Sequence, residues 1–304
     1  MEPSVSSSRL PVTVVIPTYR RERVLLETIE QLLRLDRAAA EILVVDQSEG
    51  HEPETQAMLS RWHEDGSIRW QRREQPSIPL AMNAGLAAAG NEVVLFLDDD
   101  IRPEAGLVLA HHEMQSRGDM LIVAGRVIQP WEESQELPDS ALSAFATIVP
   151  GPRREFMGGN FSVRRSQAMR IGGFDGNFVR VAYRFEAEFA YRWLARGGRI
   201  EFEPAACLHH LKAGGGGTRS FGDHLRSARP NHSVGAYYYV LRTRSGLAAA
   251  REFLTRPLRA IANRHHARRP WWVPITLLAE LRGMLWACAL AASGPRLMAA
   301  DAPP

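Results

Sequence analysis

The sequence predicts an α/β protein, a doubly wound and mostly parallel sheet followed by a helical C-terminal extension. Three observations carry this. The runs 12–16, 41–45 and 93–97 are short, apolar and rich in β-branched residues, as buried strands are. Segments with helical spacing separate them. Each run also ends in polar residues, Pro17-Thr18-Tyr19, Asp46-Gln47-Ser48 and Asp98-Asp99-Asp100. In such sheets ligands bind at the carboxyl ends of the strands, so the three endings are expected to meet in one crevice.

The elements follow in order. Val12 to Ile16 is a strand stopped by Pro17. Glu22 to Leu35 places Val24, Leu25, Thr28, Ile29, Leu32 and Leu33 on one helical stripe. Glu41 to Val45 is a second strand, ending at Asp46, and the Ala-rich Pro79 to Ala89 is helical. Val93 to Leu97 is a third strand, and Pro103 is expected to open a helix. Met120 to Ala124, Phe161 to Val163, Arg199 to Phe202 and Ala206 to Leu211 read as strands, and Ala182 to Ala195 as a helix. Gly158-Gly159 and Gly172-Gly173 mark turns or close backbone approach. Gly214 to Gly217 is a flexible loop, and helices are expected over 233–244, 246–264 and 271–292.

Composition bounds the class. A chain of 304 residues, 45% hydrophobic and 23% charged, is neither disordered nor repetitive. Its two cysteines, Cys207 and Cys288, exclude a disulfide framework and a four-cysteine zinc site. Met1 to Leu10 is polar, reads as a disordered tail and lacks a signal-peptide layout, so a cytoplasmic location is expected. Residues 219–270 hold eleven arginines against Asp223 and Glu252, which leaves the body mildly acidic. Such a basic segment suits phosphates, an anionic membrane or simple solvation. Trp271 to Ala292 is apolar but carries Glu280 and Arg282, so it reads as an interfacial or core-packing helix rather than a spanning one.

Several residues can carry chemistry. Three adjacent carboxylates at the end of a buried strand repel one another unless a hard cation such as Mg²⁺ or Mn²⁺ joins them. Asp98 and Asp100, two apart, face the same side of an extended strand end. A solvated acidic turn is the plainer alternative. Asp46 is placed to accept hydrogen bonds from a ribose or base, or to serve as a turn residue. Glu188 has Arg192 four residues on, an ordinary ion pair. Glu186 has no such partner, and a free carboxylate near a helix N-terminus can act as a general base. His209 and His210 point to opposite faces of a strand, so at most one enters the crevice.

Taken together, PVTVVIPTYRR (11–21), EILVVDQS (41–48), NAGLAAAGNEVVLFLDDD (83–100), GGNFSVRRS (158–166), GGFD (172–175), RFEAEFAYRW (184–193) and FEPAACLHHL (202–211) resemble glycosyltransferase family 2 in sequence and order. The resemblance spans about 11–220 and implies a GT-A fold, a Rossmann-like sheet; 221–304 is a basic helical extension, and the charge and apolar stretch of 219–292 make contact with an anionic membrane surface the expectation there. It implies an inverting transfer of one sugar from a nucleotide-diphospho-sugar to a hydroxyl of a glycan or lipid-linked acceptor. Bacterial cell-surface polysaccharide synthesis at the inner face of the cell membrane is the expected setting. On this resemblance Pro17, Thr18, Tyr19, Asp46, Asn83, Asp98 and Asp99 hold the nucleotide, and Gly159 and Asn160 lie beside the donor sugar. Glu186 is the catalytic base, and Asp98, Asp100 and His210 surround a divalent cation, Mg²⁺ or Mn²⁺, in a DXD-type motif.

The chain also departs from the family pattern. Met82 stands where an Arg is common, with Arg219, Arg226 or Arg229 as substitutes, and Ala187-Glu188 replaces a common x-Asp. Arg192-Trp193 is similar to the end of the Q-x-x-R-W motif of processive synthases, but Phe189 replaces its Gln and the pair lies close to Glu186. One transfer per encounter is therefore expected. The competing class is a non-catalytic nucleotide-sugar-binding protein. A nucleotidyltransferase is weaker, since no Gly-rich loop with its Lys follows the first strand. Nucleic-acid binding is not expected, for no module accompanies the arginines.

Overall fold

The computed structural model describes residues 9–133, 142–222 and 225–299. Residues 1–8 of the expected tail lie outside the described residues, and Leu10 is not tail but the first residue of a strand. The chain runs β1 (Leu10–Thr18), α1 (Arg23–Leu33), β2 (Ala39–Asp46), α2 (Pro53–Glu64), β3 (Arg69–Arg72), α3 (Ile78–Ala88) and β4 (Val93–Leu97). It continues with β5 (Ile101–Pro103), α4 (Leu107–Gln115), β6 (Leu121–Ile128), α5 (Pro130–Glu133), β7 (Gly151–Pro152), β8 (Asn160–Arg164), α6 (Arg165–Arg170), α7 (Phe185–Ala195) and β9 (Arg199–His210). The C-terminal helices are α8 (Ser233–Thr243), α9 (Gly246–Ile261), α10 (Arg264–Arg268) and α11 (Val273–Ala292).

The strands form one sheet in the order β3-β2-β1-β4-β8-β6-β9-β5, with β7 paired to β9. β3, β2, β1 and β4 are mutually parallel, as are β6 and β9. β8 runs antiparallel between β4 and β6. The sheet is thus mixed and mostly parallel, and β1, β2 and β4 bring their carboxyl ends to one edge.

Both faces of β1 are apolar because helices cover both. Val14 and Ile16 pack with Leu25, Ile29, Val44, Leu95 and Leu107 on one side. Val15 faces the other side with Val45, Phe96, Phe161 and Phe174. That second core is aromatic: Phe96 stacks on Phe161 at 4.9 Å and Phe174 on Phe189 at 4.4 Å between ring centres. It continues without a break into Trp193, then Tyr237 and Tyr238 of α8 and Ala287 of α11.

The expected division at 220/221 is therefore not a packing boundary. α11 turns its small residues, Ala279, Gly283 and Ala287, toward the protein. A Cβ on Gly283 would stand 2.1 Å from Ser233 Oγ, so only glycine permits the close approach of α11 to α8. The segment after α11 is tied back to the 172–175 turn. Met298 N–H donates to Gly172 O at 2.8 Å, and Arg296 N–H to Asp175 Oδ1 at 2.9 Å.

Several element expectations are corrected. Pro103 ends β5, where it pairs with Leu208 on a terminal strand that tolerates a missing N–H, and the helix begins only at Leu107. The two expected strands over 199–211 are one, β9, which crosses a register shift opposite Gly125 and Arg126. α7 starts at Phe185 rather than Ala182, because Ala182 and Arg184 have φ of 50° and 74°.

Candidate active site

A cleft of about 340 Å³ opens where β1, β2 and β4 end. Its lining includes Pro17, Thr18, Tyr19, Arg21, Gln47, Asp98, Asp99, Asp100, Gly159, Arg180, Tyr183, Glu186 and His210. Most of the residues singled out from the sequence thus converge, although they are scattered over nearly two hundred positions.

The acidic triplet divides its work. Asp99 turns inward, accepting from Thr18 Oγ1 at 2.7 Å and Arg21 Nε at 3.0 Å. Burial nevertheless pushes its carboxyl up to about 7, against the pull of Arg21 and Thr18. Asp100 accepts from Arg21 Nη2 at 3.1 Å and from the Ala213 amide at 2.9 Å, and its Oδ1 lies 3.2 Å from His210 Nε2. Burial acts to raise Asp100, but the His210 hydrogen bond, the charge on His210 and Arg21 outweigh it and hold the carboxyl low. Arg21 also donates to Ala213 O and Gly215 O, so it ties the triplet to the glycine loop.

Asp98 is different. Among the described residues no donor hydrogen-bonds its carboxylate, and burial raises its pKa, only partly offset by His210. The backbone presses against it: a Cβ on Gly159 would lie 2.0 Å from Asp98 Oδ2, so that position admits only glycine. Ligand atoms of Asp98, Asp100 and His210 lie within 4.8 Å of one another. Two carboxylates and an imidazole around one point form a hard donor set of the kind Mg²⁺ or Mn²⁺ accepts. The unpaired Asp98 carboxylate is the group such a cation would discharge. His210 is steered by Gln129 Oε1, 3.1 Å from its Nδ1. His209, as strand alternation requires, points elsewhere, with Nε2 2.8 Å from Glu104.

Glu186 stands in the first turn of α7 and lines the cleft wall. Burial raises its carboxyl to about 7, and nearby Glu155 and Asp98 push the same way against Arg184. Just before it, Arg180, Ala182 and Arg184 all adopt left-handed backbone, with φ of 63°, 50° and 74°. Three such residues within five positions store strain at the cleft wall, as functional loops do. Glu188, in contrast, is fully buried and ion-paired to Arg192 at 2.8 Å and Arg242 at 3.3 Å. Its expected structural pairing with Arg192 is present.

Three expected donor-contacting side chains do not face the cleft, which corrects their reading. Asp46 is completely buried and saturated by His51 Nε2 at 2.8 Å, Trp70 Nε1 at 3.0 Å and the Ser48 amide at 2.8 Å. Burial raises its carboxyl, but these hydrogen bonds, with His51 foremost, outweigh burial and keep it low. Its neighbour Gln47 takes the place in the lining. Asn83 makes a reciprocal pair with the Phe174 backbone, at 2.7 and 2.8 Å, and so fixes α3 to the 172–175 turn. Asn160 is spent on His111 and on the Arg126 and Ala206 carbonyls, each at 2.9 Å. Only Gly159 of that pair reaches the cleft.

The cation missing at Met82 is not replaced by Arg226 or Arg229, which do not line the cleft, and the side chain of Arg219 lies outside those described. Among the described residues, the arginines that do line it are Arg21 and Arg180. The sequence signal for Arg21 was its place in the Thr18-Tyr19-Arg20-Arg21 strand ending. Arg180 had none, since its position depends on the left-handed turn.

A mixed α/β sheet with nucleotide-sized space at its strand ends, an aspartate motif and a facing glutamate defines a protein of the GT-A type. Residues 13–186 match the model of Glycosyl transferase family 2, and the chain belongs to that family. Among characterised proteins it is 25% identical, over 217 residues, to the pre-mycofactocin glycosyltransferase of Mycobacterium tuberculosis, in strains CDC 1551 and H37Rv. That match takes in 68% of this chain but 44% of the relative, so the chain spans less than half of its length.

Solved structures share the fold. GalNAc-T7 with UDP, GalNAc and Mn²⁺ superposes with a TM-score of 0.61 at 14% identity, over 93% of this chain and 55% of that one. Staphylococcus aureus TarS 1–349 with UDP-GlcNAc gives 0.58 at 14% identity, over 93% and 88%. The Pyrobaculum calidifontis mannosyltransferase with GDP-Man and Mn²⁺ gives 0.55 at 20% identity, over 94% and 80%.

Proposed function

We propose that this protein transfers a single sugar, with inversion, from a nucleotide-diphospho-sugar to a hydroxyl of a glycan or lipid-linked acceptor. The observation that carries the reading is the meeting, in one cleft, of Asp98, Asp100 and His210 with Glu186. Family membership supports it, as do structural neighbours solved with UDP, GalNAc and Mn²⁺ or with GDP-Man and Mn²⁺.

Asp98, Asp100 and His210 would hold the divalent cation, which supplies neutralisation of charge developing on the diphosphate. Thr18, Tyr19 and Gln47 form the wall against which the nucleotide lies, and Gly159 lets the donor sugar approach the backbone. Glu186 accepts the proton of the acceptor hydroxyl while that oxygen bonds to the anomeric carbon. The bond from that carbon to the diphosphate oxygen breaks on the opposite face, and inversion follows. The remaining contribution is positioning.

A single transfer is favoured because Arg192 and Trp193 are buried and engaged. Arg192 donates to Ile171 O and Gly173 O, and Trp193 Nε1 to Arg199 O. Neither lines the cleft where a growing chain would rest. Cell-envelope polysaccharide synthesis at the cytoplasmic face of the membrane is the setting that suits such a donor and acceptor.

The test is a thermal-stability titration with a panel of nucleotide-sugars, each with and without Mn²⁺ or Mg²⁺. One donor at 100 times its Kd adds about 2.7 kcal/mol of stability, and only when the cation is present. Asp98→Asn abolishes the cation dependence. Stabilisation by no donor would overturn the reading. Stabilisation without turnover on any hydroxyl acceptor would favour a binding protein.

A further inference from the structure

α9 is built the wrong way round for a helix of a soluble surface. None of its residues is fully buried. Leu247, Leu254 and Leu258 fall on one stripe, at spacings of seven and four, and are 90%, 76% and 64% exposed. Its opposite side is the one that meets the protein: Phe253 packs on Tyr237, and Arg256 pairs with Glu280 at 3.1 Å. α11 repeats the pattern. Its small residues face α8, while Leu277, Leu281 and Leu285 are exposed on the far side, and Trp271 just before it is 65% exposed. Two neighbouring helices therefore present leucines outward together.

The charge around them is mostly positive. Arg251 and Arg259 of α9 and Arg282 of α11 are exposed beside the leucines, and Glu252, paired with Arg244 and Arg259, is the acid among the described residues of α9. The flanking segment 219–270 has eleven arginines against two acids.

We infer that the α9–α11 face seats this protein in the headgroup layer of an anionic bilayer, with the leucines in the acyl boundary and the arginines on lipid phosphates. A second copy is the poorer occupant. A twofold contact would set the same arginines against each other. α11 is long and apolar enough to span, but it does not cross: one side is fixed to α8, and the chain after it returns to Gly172. The sequence pointed to 219–292 as a whole; the structure names the leucines of α9 and α11 that lie outward within it.

Docking also positions the cleft. Arg180, on the cleft wall, lies over the ring of Trp286 of α11 at 5.6 Å. The cleft rim is thus about one helix diameter, ~10 Å, from the bilayer. An acceptor carried on a lipid reaches it without leaving the membrane. This last step rests on the sugar-transfer reading; the docking itself does not.

The experiment is flotation with vesicles of phosphatidylcholine alone and of phosphatidylcholine with 30 mol% phosphatidylglycerol (about one anionic lipid in three). A polarity-sensitive dye on native Cys288, exposed on α11 while Cys207 is buried, reports insertion. The protein floats with anionic vesicles and the dye emission shifts to the blue. Leu254→Asp with Leu258→Asp reduces flotation at least about tenfold, because a charge in the acyl boundary is expelled. The same variant keeps its melting temperature, since neither leucine touches the core. Failure of the wild type to float, or flotation indifferent to the double substitution, would overturn the inference. So would a dimer in light scattering that the double substitution dissociates. Donor-induced stabilisation, measured in parallel without vesicles, separates failure of docking from failure of the sugar-transfer reading.

Discussion

Glu186→Gln lowers turnover by about 10²–10⁴-fold, the range a positioned general base supplies, while the donor still binds. Gln keeps the shape of the side chain and removes only its ability to take a proton. Thr18, Gln47, Asp98 and His210 are untouched, so the cation-dependent thermal shift with donor remains. The pH profile gives the second readout. Burial places the Glu186 carboxyl at about 7. Below that the group is protonated and cannot act as base, so turnover at saturating donor falls as pH drops through 7 and levels off above it. This acid limb is absent from the Gln variant. Stability moves in the other direction. A carboxyl whose pKa rises from 4.5 to about 7 on folding holds its proton more tightly in the folded state, so it favours the fold below 4.5 and loses that contribution as pH rises through 7. Above pH 7 the Gln variant is therefore at least as stable as the parent. Unchanged turnover would remove Glu186 from the chemistry.

Glu188→Ala, two residues away, damages folding instead. Both carboxylate oxygens of Glu188 share the Arg192 Nε–H, at 2.8 and 3.0 Å, and one pairs with Arg242 of α8 at 3.3 Å. Arg242 also lies 3.4 Å from Asp175. Removing the carboxylate leaves buried Arg192 without its counter-ion, a change that costs about 3–5 kcal/mol. Against a total of about 5–15 kcal/mol that is a large share, visible as a lowered midpoint in urea. Glu188→Leu with Arg192→Leu together costs less than Glu188→Ala, because no charge is left stranded. It does not return to the parent value, since Arg192 also satisfies the Ile171 and Gly173 carbonyls. A loss below about 1 kcal/mol for Glu188→Ala, as for an exposed pair, would contradict the burial described.

The contrast between these two glutamates was legible in the sequence, because Arg192 stands four residues after Glu188 and Glu186 has no such partner. So were β1, β2 and β4, whose apolar runs and polar endings are strong local signals. Less was legible where a contact, not a pattern, decides. α2 and β3 went unread, since their residues are mostly polar and half-exposed. Asp46, Asn83 and Asn160 sit within the motifs, but periodicity says only that a residue ends a strand or lies on a helix. It does not say that His51 and Trp70 wait behind Asp46, or that the Phe174 backbone claims Asn83. Arg180 reaches the cleft through a left-handed turn for which its own sequence gives no glycine or asparagine as a cue.

The unbroken aromatic core has a consequence for where this molecule can be divided. The match to the family model ends at residue 186. The cooperative unit does not, for Tyr237 and Tyr238 fill the same interior as Phe174 and Phe178, and the amide of Met298 closes it against Gly172. The C-terminal third is a splint set along the half that matches the family, and a fragment trimmed to that match would begin life with its interior open to water.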